Sequence, residues 1–226
     1  MPPFSVYTLG MNTSQIALIA DDHPLFRSAL NQVLAGQLGL QVLQANNFAS
    51  TRELMQQHPE IDLVCLDLNM PDSQGLSGMT YLRAEFPNTL VIIVSSDESA
   101  TTIAKCIALG ASAFIPKSVG LESISEAVNA VLDGEQWLPE NISVDETSQA
   151  HSQDYVNCEL LESLTPHQLK VLNMIADGLL NKQIAFELDI SESTVKQHVS
   201  AVLRKLKLNN RTQAGIMYKQ IMSIDS

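Results

Sequence analysis

The sequence lacks the features of a disulfide-held, membrane-spanning or wholly basic protein. Cysteine is scarce: Cys65, Cys106 and Cys158 are three in 226 residues. An odd, sparse set argues against a disulfide framework and for a reducing, cytoplasmic compartment. Long apolar runs are missing too. Ile16–Ala20 and Leu90–Val94 are among the longest, far short of the roughly 20 residues a spanning helix needs, so no membrane association is expected. The first 15 residues hold no Lys or Arg, so nothing resembles the start of a secretory signal. Residues 1–14 are expected to form a loose extension, with Met11 an alternative start. Aromatic residues are 5% of the chain, which makes any core aliphatic. His151 and Cys158 lack the spacing of zinc ligands, and there is no internal repeat.

What is present is 45% hydrophobic residues, enough for packed cores and too many for a disordered chain. The length suits one large domain or two modest ones. The charge distribution favours two. Residues 1–157 carry 5 basic and 18 acidic side chains, whereas residues 158–226 carry 8 and 7. From Ser193 to Ile224 there are six basic residues (Lys196, Arg204, Lys205, Lys207, Arg211 and Lys219) and no acid. Residues 139–157 are polar and without helical or strand periodicity, which is linker chemistry. The expected organisation is an extension at 1–14, a first domain at 15–138, a linker at 139–157 and a second domain at 158–226.

The first domain alternates strand and helix. Short aliphatic runs recur at Ile16–Ala20, Val42–Ala45, Leu63–Leu66, Leu90–Val94 and Ala113–Ile115. Continuously apolar runs of this kind suit parallel strands covered on both faces. Helix-like segments separate them: Pro24 to Ala35, Phe48 to Gln57, Leu76 to Glu85, Ser99 to Leu109 and Leu121 to Leu132. The fold class expected is α/β, a doubly wound five-stranded parallel sheet of the flavodoxin-like kind, with ligands at the carboxyl ends of its strands.

Those ends carry chemistry. Strand 1 ends in Asp21-Asp22, strand 3 in Asp67, strand 4 in Ser95-Ser96, and Lys117 follows strand 5. In strand order 2-1-3-4-5 these groups share one rim. Clustered carboxylates repel unless a hard divalent cation sits among them, and all-oxygen ligands favour Mg²⁺. A Lys ammonium and a Ser hydroxyl then suit a phosphoryl group, so the chemistry implied is phosphate transfer onto an aspartate. Each residue alone has a plainer reading: a solvated acidic turn, a surface lysine, a core phenylalanine. Their conjunction carries the inference.

Residues 15–135 resemble the receiver domain of two-component response regulators, through Asp21-Asp22-His23-Pro24, Leu66-Asp67-Leu68-Asn69-Met70-Pro71, Ser95 and Phe114-Ile115-Pro116-Lys117. The resemblance implies that Asp67 accepts the phosphoryl group. It implies that Asp22 and Asp67 bind Mg²⁺ through side chains, that Asp21 helps through water, and that Asn69 offers its carbonyl. Ser95 would be the switch hydroxyl, Phe114 the aromatic that turns inward when Ser95 moves, and Lys117 the phosphoryl-binding lysine. His23 is expected to be a helix-entry residue beside the acid pocket.

The second domain is small and all-α. Thr165 caps a helix that Pro166 begins; a second helix runs from about Asn181 to Leu188. Ser191 caps a third, Glu192 to about Leu206, with an apolar stripe of Val195, Val199, Val202, Leu203 and Leu206. A fourth runs from Thr212 to about Met222. Two short helices joined by a tight turn, the second basic, suggest a helix-turn-helix. Residues 164–214 resemble the LuxR-type domain, through Leu164-Thr165-Pro166, Asn181-Lys182-Gln183-Ile184-Ala185, Ser193-Thr194-Val195-Lys196, His198 and Asn210-Arg211-Thr212-Gln213-Ala214. That resemblance implies that Lys196, Gln197 and Ser200 face bases, and that Lys182, Thr194, His198 and Lys205 approach the DNA backbone. The last helix, with Ile216, Met217 and Ile221, would pair two copies. Ser200 stands where some relatives carry a second Lys, which leaves the operator open.

Together these features resemble the NarL/FixJ type of response regulator. The function implied is that of a DNA-binding transcription regulator, not an enzyme. Its expected partners are promoter DNA, a sensor histidine kinase as phosphodonor and a second copy of the chain. Two alternatives stand beside it: a regulator that works without phosphate, and a phosphate sink with vestigial DNA binding. The intact acid pocket speaks against the first and the acid-free Ser193–Ile224 segment against the second.

Overall fold

The computed structural model describes residues 15–73, 75–139 and 153–222. The 1–14 extension and residues 140–152 of the expected linker lie outside them. Five aliphatic segments form a parallel sheet in the order β2-β1-β3-β4-β5. They are β1 Ile16–Ala20, β2 Gln41–Ala45, β3 Leu63–Asp67, β4 Leu90–Ser95 and β5 Ala113–Pro116. Because side chains alternate across a strand, the continuously apolar runs feed two separate cores. Ala17, Ile19, Leu63, Cys65, Ile92 and Val94 pack on one face. Leu18, Ala20, Val64, Leu66, Val91 and Ile93 pack on the other. The register sets Ala20 beside both Ala45 and Leu66, Asp67 beside Val94, and Ser95 beside Pro116. The strand ends named from the sequence therefore meet on one rim.

The helices of this domain are α1 Pro24–Asn31, α2 Phe48–Gln57, α3 Ser77–Glu85, α4 Ala100–Ala108 and α5 Leu121–Leu132. The expected helix to Ala35 instead passes at Gln32 into a π-helical stretch, Gln32–Gln37. There Leu38 N–H reaches back five residues to Val33 C=O. Asp72 does work its sequence neighbours do not reveal. Its carboxylate accepts from the backbone N–H groups of Phe48 at 2.7 Å and Ala49 at 2.8 Å, capping α2 from a distant loop. Burial disfavours its charge, but the backbone bonds together outweigh this and hold its carboxyl below the usual range. Asp72→Ala is therefore expected to cost about 1 kcal/mol in a denaturant titration, as cap removal does. The contribution is complete above the ordinary carboxylate range and is lost as pH falls through the depressed value. Equal stability of variant and wild type at pH 7 would contradict the cap.

The second domain contains α6 Gln153–Glu162, α7 Pro166–Ala176, α8 Asn181–Glu187, α9 Glu192–Lys205 and α10 Arg211–Met222. Thr165 and Gln168 cap α7 reciprocally, and the Ser191 hydroxyl caps α9 by accepting from Thr194 N–H at 3.1 Å. One difference from the sequence reading concerns α6. The stretch read as unpatterned to residue 157 contains the start of this helix. Its apolar positions begin only at Val156, and the buried pair Cys158 and Leu161 lies three residues apart on one face. That face joins the first domain's core, so a single hydrophobic cluster continues from Ile103 and Cys106 through Cys158 and Leu161 to Leu172, Met217 and Ile221.

Candidate functional site

The pocket is built from four strand ends, those of β1, β3, β4 and β5, and the start of α1. Asp21 and Asp67 are 1% exposed, and Ser95 is fully buried. Backbone donors fix the carboxylates: His23 N–H donates to Asp21 Oδ1 at 2.7 Å and Asn69 N–H to Asp67 Oδ1 at 3.0 Å. Lys117 Nζ lies 2.8 Å from both Asp21 Oδ2 and Asp67 Oδ2. One ammonium thus offsets two buried carboxylates, and the third, Asp22, adds to the acid excess. Burial pushes the Asp67 carboxyl up, and neighbouring Asp21 adds to this; the Lys117 bond and the Asn69 N–H oppose it without cancelling it.

The residues present suit a divalent cation. Ligand atoms of Asp21, Asp22, His23 and Asp67 lie within 4.8 Å of one another. Asp21 Oδ2 and Asp22 Oδ1 are buried and accept no well-aligned hydrogen bond from the described residues. Their polar neighbours are cationic or able to become so: Lys117 beside the first, and His23 Nδ1 at 2.7 Å from the second. His23 also lies 3.2 Å from Lys117 Nζ. The sequence placed it at the helix entry and near the acids; its position against Asp22 and Lys117 needed the fold. Arg27 and Phe26 went unnoticed. Arg27 Nη1 donates to Asp21 C=O at 2.7 Å, and the Phe26 ring lies 5.3 Å from Lys117 Nζ. A Pro-started amphipathic helix gives no sign of which residues turn back to the strand end.

A buried carboxyl raised above its ordinary range destabilises the folded chain when ionised. Without added metal, Asp67→Asn should therefore raise the melting temperature at pH 7, roughly 2–4 °C for each kcal/mol in a chain of this size. The advantage should shrink at acidic pH, where the wild-type carboxyl protonates too, because the favourable state is lost only as pH rises through the raised value. Mg²⁺ should narrow the gap by binding wild type more tightly. A lower melting temperature for Asp67→Asn in metal-free buffer at pH 7 would contradict this account.

The Phe114 ring is fully buried, in the cluster with Ile103 and Cys106. Ser95 Oγ accepts from Asp97 N–H at 3.1 Å.

The second domain carries the other group of candidates. Lys182, Lys196, Gln197 and Ser200 are exposed, and Thr194 and His198 are half-buried. The ring of His198 stacks on that of His167 with centroids 6.1 Å apart. Lys205 is half-buried. Its ammonium donates to Ser163 C=O and, at 2.9 Å, to Gln168 Oε1, tying α9 to the start of α7. Arg211 is similarly engaged, with Asn181 and Leu179. The basic charge left on the surface of the acid-free segment comes from Lys196, Arg204, Lys207 and Lys219. Among the described residues, no helix is long and apolar enough to cross a membrane.

Residues 17–129 match the family described as the response regulator receiver domain. Residues 162–218 match the luxR family of bacterial regulatory proteins. The glycerol metabolism activator of Pseudomonas putida is 43% identical over 202 residues, covering 87% of this chain and 91% of that protein. The nitrate/nitrite response regulator protein NarL of Escherichia coli K12 is 31% identical over 204 residues, covering 90% and 94%. Among solved structures, the response regulator RcsB in complex with DNA aligns over 92% of this chain and 99% of its own, with a TM-score of 0.56 and 19% identity. That last likeness concerns the fold.

Proposed function

The chain belongs to the NarL/FixJ-type response regulators, a receiver domain followed by a LuxR-type DNA-binding domain, and from that premise we propose that Mg²⁺-dependent phosphorylation of Asp67 controls its assembly on promoter DNA. The observation that carries this is the convergence of the buried Asp21 and Asp67 with the half-buried Asp22 and Lys117. Asp22 and Asp67 would hold Mg²⁺ through side chains, Asp21 through water, and Asn69 through its carbonyl. When bound, the cation offsets the charge that gathers as a phosphoryl group approaches a carboxylate.

The protein's own groups do the rest. Asp67 presents Oδ2 as nucleophile, with Oδ1 held by Asn69 N–H. Lys117 is placed to follow the incoming phosphoryl oxygens, exchanging its bond to Asp67 for one to them. Ser95, on the adjacent strand end, supplies a hydroxyl. A sensor histidine kinase, the donor usual for this family, would deliver the phosphate. DNA reading falls to Lys196, Gln197 and Ser200, with Lys182, Thr194 and His198 near the backbone.

The domain arrangement favours assembly as the controlled step. The outer face of α9 is exposed, whereas α10, the candidate pairing helix, is held against the first domain. Tyr218 hydroxyl and Thr80 Oγ1 are 3.1 Å apart, Leu76 N–H donates to Met222 C=O at 3.1 Å, and Lys170 pairs with Glu85 at 2.6 Å. Met217, Tyr218, Ile221 and Met222 are buried here, while Ile216 is 53% exposed. Pairing of two copies through the covered face of α10 requires it to leave α3. The chemistry is tested by intact mass. With a small acyl phosphodonor the chain should gain one hydroxylamine-sensitive phosphate, and EDTA should prevent the gain. A chain that gains none with Mg²⁺ present, yet still binds its promoter, would be a regulator that works without phosphate.

A further inference from the structure

The switch hydroxyl is the first member of a hydrogen-bonded series that ends in α4. Ser95 Oγ accepts from Asp97 N–H at 3.1 Å. The Asp97 carboxylate accepts from Ser99 N–H at 2.9 Å and from the Thr102 hydroxyl at 2.6 Å. Ser99, the N-cap of α4, accepts in turn from Thr102 N–H at 3.3 Å. Burial works against the Asp97 charge, but the Thr102 and Ser99 bonds hold its carboxyl below the usual range. The first turn of α4 is thus organised around one ionised residue that is directly bonded to the switch hydroxyl.

Helix α4 is not a solvent face. Ile103 and Cys106 are fully buried, and α6 packs against this helix and against α10. Cys158 and Leu161 of α6 share one apolar cluster with Ile103 and Cys106. The two thiols are close enough that charge on Cys158 would push the Cys106 thiol higher still, beyond the effect of burial. The third thiol, Cys65, lies on the opposite face of the sheet.

We propose that Asp97 is the positioning residue that transmits the place of the Ser95 hydroxyl to α4, and that α4 is the seat from which α6, with the DNA-binding domain behind it, is released. This rests on Asp67 as phosphate acceptor. Drawing Ser95 Oγ toward a phosphoryl oxygen either breaks its bond from Asp97 N–H or drags Asp97 with it. In the second case the carboxylate leaves Thr102 and Ser99. In the first case Asp97 loses its tie to the end of β4, and in the second the first turn of α4 loses its bonds to Asp97; both free the face that holds Cys158 and Leu161 to shift.

The buried thiols supply the readout. Full-length protein is treated with an aromatic disulfide reagent, with and without Mg²⁺ and beryllofluoride, and labelled sites are mapped by mass spectrometry. In wild type, Cys106 and Cys158 should label at least about tenfold faster with the phosphoryl mimic, since local opening sets the rate of labelling at a buried site, while Cys65 stays protected. Asp97→Ala should label Cys106 and Cys158 quickly without the mimic, and the mimic should add little. A merely destabilised α4 would instead raise both rates and keep their ratio. Asp97→Asn, which keeps an acceptor for Thr102, should restore much of the wild-type ratio. If Asp97→Ala also exposes Cys65, the variant has opened globally and Thr102→Val decides, with the same loss of ratio expected. The proposal is overturned if the variants keep the wild-type ratio. It is also overturned if wild type carries the mimic, verified by native mass, and still protects both thiols. Failure of wild type to take the mimic at all would count against the Asp67 reading, while the mimic-free rates of Asp97→Ala would still test Asp97.

Discussion

Asp67→Ala should take up no phosphate from a small donor and should neither dimerise nor gain DNA affinity when the donor is added. The reason is local. Among the described residues, Asp67 is the carboxylate that lies 2.8 Å from Lys117, ends the strand next to Ser95, and has one oxygen held by a backbone donor. Asp21 shares the lysine, and its Oδ1 accepts from His23 N–H, but it follows β1, which neighbours β2 and β3 and not the strand that carries Ser95. Asp22→Ala should reach the same end differently, by weakening Mg²⁺ binding, and excess Mg²⁺ should partly restore uptake. A phosphate still found on Asp67→Ala, stable to hydroxylamine, would place the modification on another residue.

Lys196→Ala should lower affinity for the specific site by about 1–3 kcal/mol and relax base preference. Lys196 is exposed on α9 beside Gln197 and Ser200. Among the described residues, no hydrogen bond or ion pair of its side chain competes with a base edge; Ser200 Oγ donates to Lys196 C=O at 2.9 Å. A titration against specific and scrambled duplexes separates this loss from a general one. Lys205→Ala is the instructive contrast. A lysine free to meet phosphate would weaken all sequences alike and flatten the salt dependence. Lys205 instead ties α9 to Ser163 and Gln168, so its loss should also lower thermal stability. If Lys196→Ala binds both duplexes as wild type does, α9 is not the reading helix.

The sheet and the pocket were legible because their signals are local. Short apolar runs such as Ile16–Ala20, Leu63–Leu66 and Leu90–Val94, each followed by an acidic or hydroxyl residue, mark both a buried strand and what its end presents. Given the strand order 2-1-3-4-5, which the sheet has, Asp21, Asp22, Asp67, Ser95 and Lys117 fall on one rim. What was not legible depends on residues far apart in sequence. Asp72 caps a helix that starts 24 positions earlier. Arg27 and Phe26 matter because α1 folds back over the rim. Helix α6 hides in a polar stretch because its first residues are hydrophilic, and its two buried positions gain meaning only against α4. The LuxR-type resemblance implied a DNA-backbone role for Lys205 and counted Arg211 among its markers; the carbonyl and amide oxygens of Ser163, Gln168, Leu179 and Asn181 that hold the two side chains lie 30 to 42 positions away.

A complete switch from a 1:99 to a 99:1 population needs about 5.5 kcal/mol of differential stabilisation. A single hydrogen bond to a charged group contributes at most about 3 kcal/mol. The contacts that Lys117 and Ser95 can make to a phosphoryl group must therefore combine with a new interface between copies, and the response should be graded at low protein concentration. Sedimentation equilibrium of the full-length chain across a concentration series, with Mg²⁺ and with or without beryllofluoride, tests this most directly. The account predicts a dimer dissociation constant at least about tenfold tighter with the mimic, a gain of 1.4 kcal/mol or more, and no change for Asp67→Ala. A wild-type chain that binds the mimic and keeps the same dissociation constant would contradict it.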